Sequence, residues 1–124
     1  MIEMRKKVVV DKVPTETDMA RQRLALLFDN AIRFAERGMR CIGADDKAGS
    51  AFYIGKSQAI VQELQNVLRH QAAPELCGAL SALYTYVIEV LTAANVHHDA
   101  SLVDEAVDLL KTVRTGFGPL AGDE

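Results

Sequence analysis

The stretch PELCGALSALYTYVIEVLTAAN, Pro74–Asn95, constrains this chain more than any other. Read at helical period, Leu76, Leu80, Leu83, Val87, Val90, Leu91 and Ala94 form one apolar stripe at steps of three and four. Tyr84, Ile88 and Leu91 run down a second stripe beside it. A helix on the surface of a globular domain needs an apolar arc of only about 100°. This one must therefore be wrapped by neighbouring helices or keep a face for a partner. Tyr84 and Tyr86 lie about 200° apart on it, so one serves the core and the other faces solvent or a partner. No catalytic constellation accompanies these residues.

The rest of the chain supplies the neighbours. Residues 1–16 form an N-terminal arm without a helical stripe, and Val8–Val10 favour extended backbone. Pro14 disfavours an α conformation at Val13, so the arm is expected to be extended or weakly ordered. It reads either as a frayed terminus or as an apolar strap that a ligand displaces from a groove. Deleting it would raise ligand affinity in the second case only. A helical bundle domain is expected over residues 17–118, with a short tail at 119–124.

The first helix starts near Thr17 or Asp18, both good N-caps. Leu24, Leu27, Phe28, Ala31, Ala35, Gly38 and Ile42 give its stripe, and its arginines read as a solvated face. Gly43 supplies the stop, and Asp45-Asp46 cap a second helix from about Lys47 to His70. Phe52, Ala59, Ile60, Leu64, Val67 and Leu68 are its apolar positions, with Tyr53, Ile54 and Val61 flanking. Pro74 fits the first turn of the third helix, and Asp99 or Ser101 caps a fourth. Leu102, Val103, Ala106, Val107, Leu110 and Val113 form the stripe of that fourth helix. Four helices with short links predict an all-α fold, an antiparallel up-down four-helix bundle.

Composition narrows the function. A chain of 124 residues, 49% hydrophobic, builds a single-domain core without disulfides or metal. Its net charge of −3 argues against a nucleic-acid partner, which needs concentrated Lys and Arg. Cys41 and Cys77 sit in helical patterns and read as small core residues of a reducing compartment. Apolar runs fall short of the roughly 18–20 residues of a membrane span. Arg5-Lys6-Lys7 precedes only three valines, too few for a signal-peptide core. The expectation is a soluble cytoplasmic protein with no membrane partner.

Chemistry finds little to use. His97-His98-Asp99 is the one metal-like cluster, but adjacent side chains on a turn rarely share an ion. Asp45-Asp46 and Asp104-Glu105 sit at helix starts, where the helix dipole accounts for them. Neither cysteine has a C-x-x-C partner, and no P-loop or G-x-S-x-G is present. The reading is a binding protein, not an enzyme, with no cofactor and no metal.

From Leu26 onward the chain resembles the FliS-type flagellar export chaperones. The resemblance rests on LFDNAIRF (Leu27–Phe34), KSQAIVQEL (Lys56–Leu64), ALYTYV (Ala82–Val87), LTAANVHHD (Leu91–Asp99) and the VRTGF that closes the fourth helix. The five pieces keep their order and spacing through all four helices. Residues 1–20 lack the tyrosine usual in that family, Phe28 stands where it often has tyrosine, and Phe117 where it often has tryptophan. The resemblance implies a bundle that binds the C-terminal segment of flagellin, disordered when free, and masks it before export. It implies a groove of Ile60, Leu64, Tyr84, Val87, Ile88 and Leu91, with Lys56, Gln58 and Asn95 making polar contacts. The apolar members serve equally as core residues. Export machinery or flagellar regulators are further candidate partners, and the oligomeric state is a monomer or weak dimer. A helical adaptor for another flagellar or secretion component is the competing reading, with a metal or redox bundle behind it.

Overall fold

A computed structural model describes residues 16–69 and 71–116. Their helices are α1 (Glu16–Gly43), α2 (Lys47–Asn66), α3 (Pro74–His97) and α4 (Ala100–Thr115), arranged as the expected antiparallel bundle. Each helix packs on its two neighbours in a closed square, α1 on α2 and α4, and α3 on the same two. The α1 and α3 backbones face each other across the diagonal. That gap is filled by Phe28 and Tyr84, whose rings lie 6.1 Å apart at 50°. Around them Ile54, Val61, Leu64, Val87, Leu91, Val103, Val107 and Leu110 are fully buried. Residues 1–15 of the expected arm and the tail lie outside the described residues, while Thr17 and Asp18, expected as N-caps, fall inside α1, which already includes Glu16.

The turns explain the helix ends. Gly43 is the last residue of α1, but the left-handed conformation expected of a stop is taken two residues later by Asp45, at φ 56°. Aspartate tolerates that region better than most side chains. Asp46 then caps α2, its carboxylate accepting from the Gly49 amide at 2.9 Å. A Cβ on Gly49 would collide with that carboxylate and lie 2.8 Å from Cys41 Sγ, so this glycine is required by close packing. A Cβ on Gly55 would meet nothing within 4 Å, so that glycine is merely tolerated. At the far end α2 stops at Asn66, short of the expected His70. There the chain tightens, with the Leu68 amide donating to the Gln65 carbonyl. His98, at φ 54°, ends α3, and Asp99 caps α4 by accepting from both the amide and hydroxyl of Ser101.

The buried face of α2 departs from expectation. Its core positions are Ser50, Ile54, Ser57, Val61 and Leu64, whereas Phe52 and Val67 stand 57% and 49% exposed. Serine disguises the stripe. Ser57 is completely buried because its hydroxyl donates to the Ala31 carbonyl at 2.7 Å, leaving a small residue where α1 and α2 approach closely. Ala31, Ala35 and Gly38 oppose it with equally small side chains, and a Cβ on Gly38 would sit 2.8 Å from Ile54. On the other side of α1, Asp29 pairs with Arg114 at 3.2 Å and Glu36 with Lys111 at 3.5 Å, tying α1 to α4.

By length and mean hydropathy (1.5), α3 would qualify as a membrane span, contrary to the sequence reading. Its apolar side is turned to the bundle through Cys77, Tyr84, Val87, Val90, Leu91 and Ala94. Thr85, Glu89 and Thr92 run down its exposed side, so the helix buries one face in the bundle and carries polar residues on another.

Candidate partner-binding surface

The nine residues expected to line one groove are distributed over three places. Leu64, Tyr84, Val87 and Leu91 are between 0% and 3% exposed and belong to the core. In the free chain they are core residues, the role that the sequence reading leaves open beside the groove. The second stripe of α3 is not surplus, because α2 and α4 cover that helix from both sides and Phe28 meets it across the diagonal.

Gln58, Ile88 and Asn95 lie along the α2–α3 seam, and the helices themselves use their polar groups. Gln58 donates to the Ile88 carbonyl at 3.0 Å and to the Thr92 hydroxyl at 2.8 Å. Gln65 repeats the pattern, donating to the Ser81 carbonyl at 2.9 Å and the Thr85 hydroxyl at 2.8 Å. The two glutamines are two helical turns apart on α2, and their acceptors are two turns apart on α3 in the opposite direction. Asn95 accepts a long contact from Ser50 at 3.5 Å. This seam is closed by its own hydrogen bonds.

Lys56 and Ile60 occupy a different surface. Ile60 is two residues from Gln58 and therefore about 200° round the helix, while Lys56 is four residues away on the same flank as Ile60. That flank runs along α1. At its lower end an open cleft of about 320 Å³ lies between Leu24 and Leu27 of α1 and Glu63 and Val67 of α2, with Arg23 and Arg69 beside them. Above the cleft follow the half-buried Ile60, the exposed Lys56 and the exposed Phe52. From Phe52 to Val67 this strip extends about 22 Å at about 1.5 Å per residue. Sequence reasoning counts Phe52 and Val67 with Ile60 among the apolar positions of the helix and assigns only Ile60 to the groove. The usable signal is that α2 has more apolar positions than one buried face can hold.

The tyrosines divide as the helical period requires. Tyr84 is the core residue, and burial, with Cys77 nearby, pushes its pKa up to about 12. Tyr86 is exposed and donates to the Glu105 carboxylate, which raises its pKa as well. The folded state holds the Tyr84 proton after the unfolded chain has released it. The stability contributed by neutral Tyr84 is therefore full below about pH 10 and is lost as pH climbs from about 10 toward 12. Tyrosinate absorbance during alkaline titration is expected to show a component rising only near the unfolding transition. Tyr84→Phe should remove it, and its persistence in that variant would contradict the assignment.

Among the described residues no group of three or more His, Cys, Asp or Glu side chains is placed to hold a metal ion. His98 lies 3.5 Å from Asp45 and links the two upper turns. Comparison with known proteins agrees with a helical secretion chaperone. A profile of the family described as Flagellar protein FliS matches residues 9–123. The flagellar secretion chaperone FliS of Campylobacter jejuni is 27% identical over 88 residues, 71% of this chain and 69% of that protein. FliSB of Pseudomonas aeruginosa, also named a flagellar secretion chaperone, is 41% identical over 64 residues, about half of each chain (52% and 51%). FliS of Escherichia coli is 27% identical over 93 residues, 74% of this chain and 68% of that protein. The chain belongs to the FliS family of flagellar proteins.

Proposed function

We propose that this protein is a cytoplasmic flagellar secretion chaperone that binds the C-terminal segment of flagellin and keeps it from polymerising before export. The observation that carries this reading is the exposed apolar flank of α2, which runs over the open cleft between Leu24, Leu27 and Val67. An amphipathic segment that folds as it binds would cover that strip with its own apolar face. Ordering such a segment costs about 2–5 kcal/mol, which burial of Phe52, Ile60 and Val67 must exceed. Binding alone performs the task, without nucleotide, metal or covalent chemistry. Of the residues expected from sequence, Lys56 and Ile60 lie on this strip. Titration with a flagellin C-terminal peptide is expected to saturate at one peptide per chain, with a gain in helical circular dichroism. An absence of binding at micromolar peptide would overturn the proposal, and capture of a different flagellar component instead would favour an adaptor role.

A further inference from the structure

The upper half of the α1–α2 strip differs chemically from the cleft below it. Phe34 stacks on Tyr53 at 6.2 Å, and Phe52 meets the same ring edge-on at 5.1 Å. Two cations lie against these rings, Lys56 Nζ 5.4 Å from the Phe52 centroid and Arg37 Cζ 5.7 Å from that of Tyr53. The nearby acidic groups of α1 do not neutralise them. Asp29 and Glu36 are turned to the opposite side, where Arg114 and Lys111 of α4 take them up. On α2 the next carboxylate along the flank is Glu63, seven residues and about 10 Å beyond Lys56. Among the described residues, Arg37 and Lys56 thus form an uncompensated positive pair on apolar aromatic ground.

We propose that this aromatic–cationic platform is a subsite for an acidic stretch of the bound segment, whose carboxylates pair with Arg37 and Lys56 while its apolar side chains rest on Phe52. The inference rests on the flagellin-binding reading and assigns that segment a charge. A carboxylate seated here is partly shielded from water by the rings, so its attraction to the two cations is stronger than at an open surface. Single-stranded nucleic acid also favours aromatic residues among cations, but it needs free ring faces on which bases stack. Here Phe34 and Arg37 lie over the Tyr53 ring and Lys56 over Phe52. The platform suits carboxylates better than bases.

The test is a charge exchange on the full chain, followed by calorimetric titration with the flagellin C-terminal peptide at low and moderate salt. Arg37 and Lys56 are exposed, so Arg37→Glu with Lys56→Glu should fold normally by circular dichroism. The double variant is expected to bind the peptide about tenfold more weakly at low salt, with the salt dependence reversed because added salt now screens a repulsion. A peptide whose Asp and Glu are replaced by Asn and Gln should bind the unaltered chain about as weakly, and should no longer distinguish it from the variant. Equal binding by variant and unaltered chain would overturn the subsite while leaving the chaperone reading standing. Failure of the unaltered chain to bind any peptide would overturn both. Tighter binding of an oligothymidine than of the peptide would overturn the acidic-segment assignment in favour of nucleic acid.

Discussion

Replacing Phe28 by alanine is expected to lower the unfolding free energy by about 3–5 kcal/mol, measured as a drop in the urea midpoint at unchanged slope. A domain of this size commonly holds about 5–15 kcal/mol in total, so this one change removes a large share. Phe28 is fully buried and spans the diagonal between α1 and α3, where its ring meets Tyr84 at 6.1 Å. The void it leaves cannot close easily. The spacing of α1 from α2 is already set by Ala31, Ala35, Gly38 and Ser57, which are in close contact. Phe52→Ala gives the contrast. It removes a ring of the same size that is 57% exposed, and should change stability by no more than about 0.5 kcal/mol. A small loss for Phe28→Ala would mean that the diagonal is not packed as described.

The second large effect concerns binding. Phe52→Asp combined with Val67→Asp is expected to weaken binding of the flagellin segment at least about a hundredfold, close to ~3 kcal/mol, while leaving the helical spectrum intact. Both residues are half exposed in the free chain, so neither supports the core. They stand at opposite ends of the strip, and a bound helix would bury both against apolar side chains. A carboxylate at each place would lose the apolar contact and shed water as the ligand seats, and pairing with Lys56 beside position 52 or Arg69 beside position 67 offsets only part of that cost. The same two substitutions would be silent if the ligand lay along α3 and α4.

The fold is legible in the sequence because three of its helices keep a clean period. The stripe from Leu24 to Ile42 needs only the helical repeat, as does the one from Leu102 to Val113, and Pro74 marks the start of α3. Helix α2 resists for an identifiable reason. Its core stripe contains Ser50 and Ser57, which a hydrophobic pattern counts as polar, while its outer flank contains Phe52, Ile60 and Val67. Reading apolar letters alone therefore exchanges the two faces. The site suffers in consequence. Residues on α3 look available for a groove because that helix seems over-supplied, although two neighbours and the Phe28 ring bury Tyr84, Val87, Leu91 and Ala94. Gln58 reads as a ligand contact, and nothing in a single sequence reveals that its amide is engaged by Ile88 and Thr92. The helix boundary at Asn66 depends on a turn bond from Leu68 to Gln65, which likewise leaves no letter in the sequence.

Two isoleucines on opposite sides of α2 make the location of the ligand directly measurable. Ile60 faces the α1 flank, and Ile88 of α3 lies at the seam that Gln58 closes. Selective methyl labelling of isoleucine, followed by titration with the flagellin C-terminal segment, reports on both in one spectrum. The Ile60 methyl signal is expected to shift and saturate at one equivalent while the Ile88 signal stays in place. A shift at Ile88 with Ile60 unmoved would contradict a ligand bound along the α1–α2 strip.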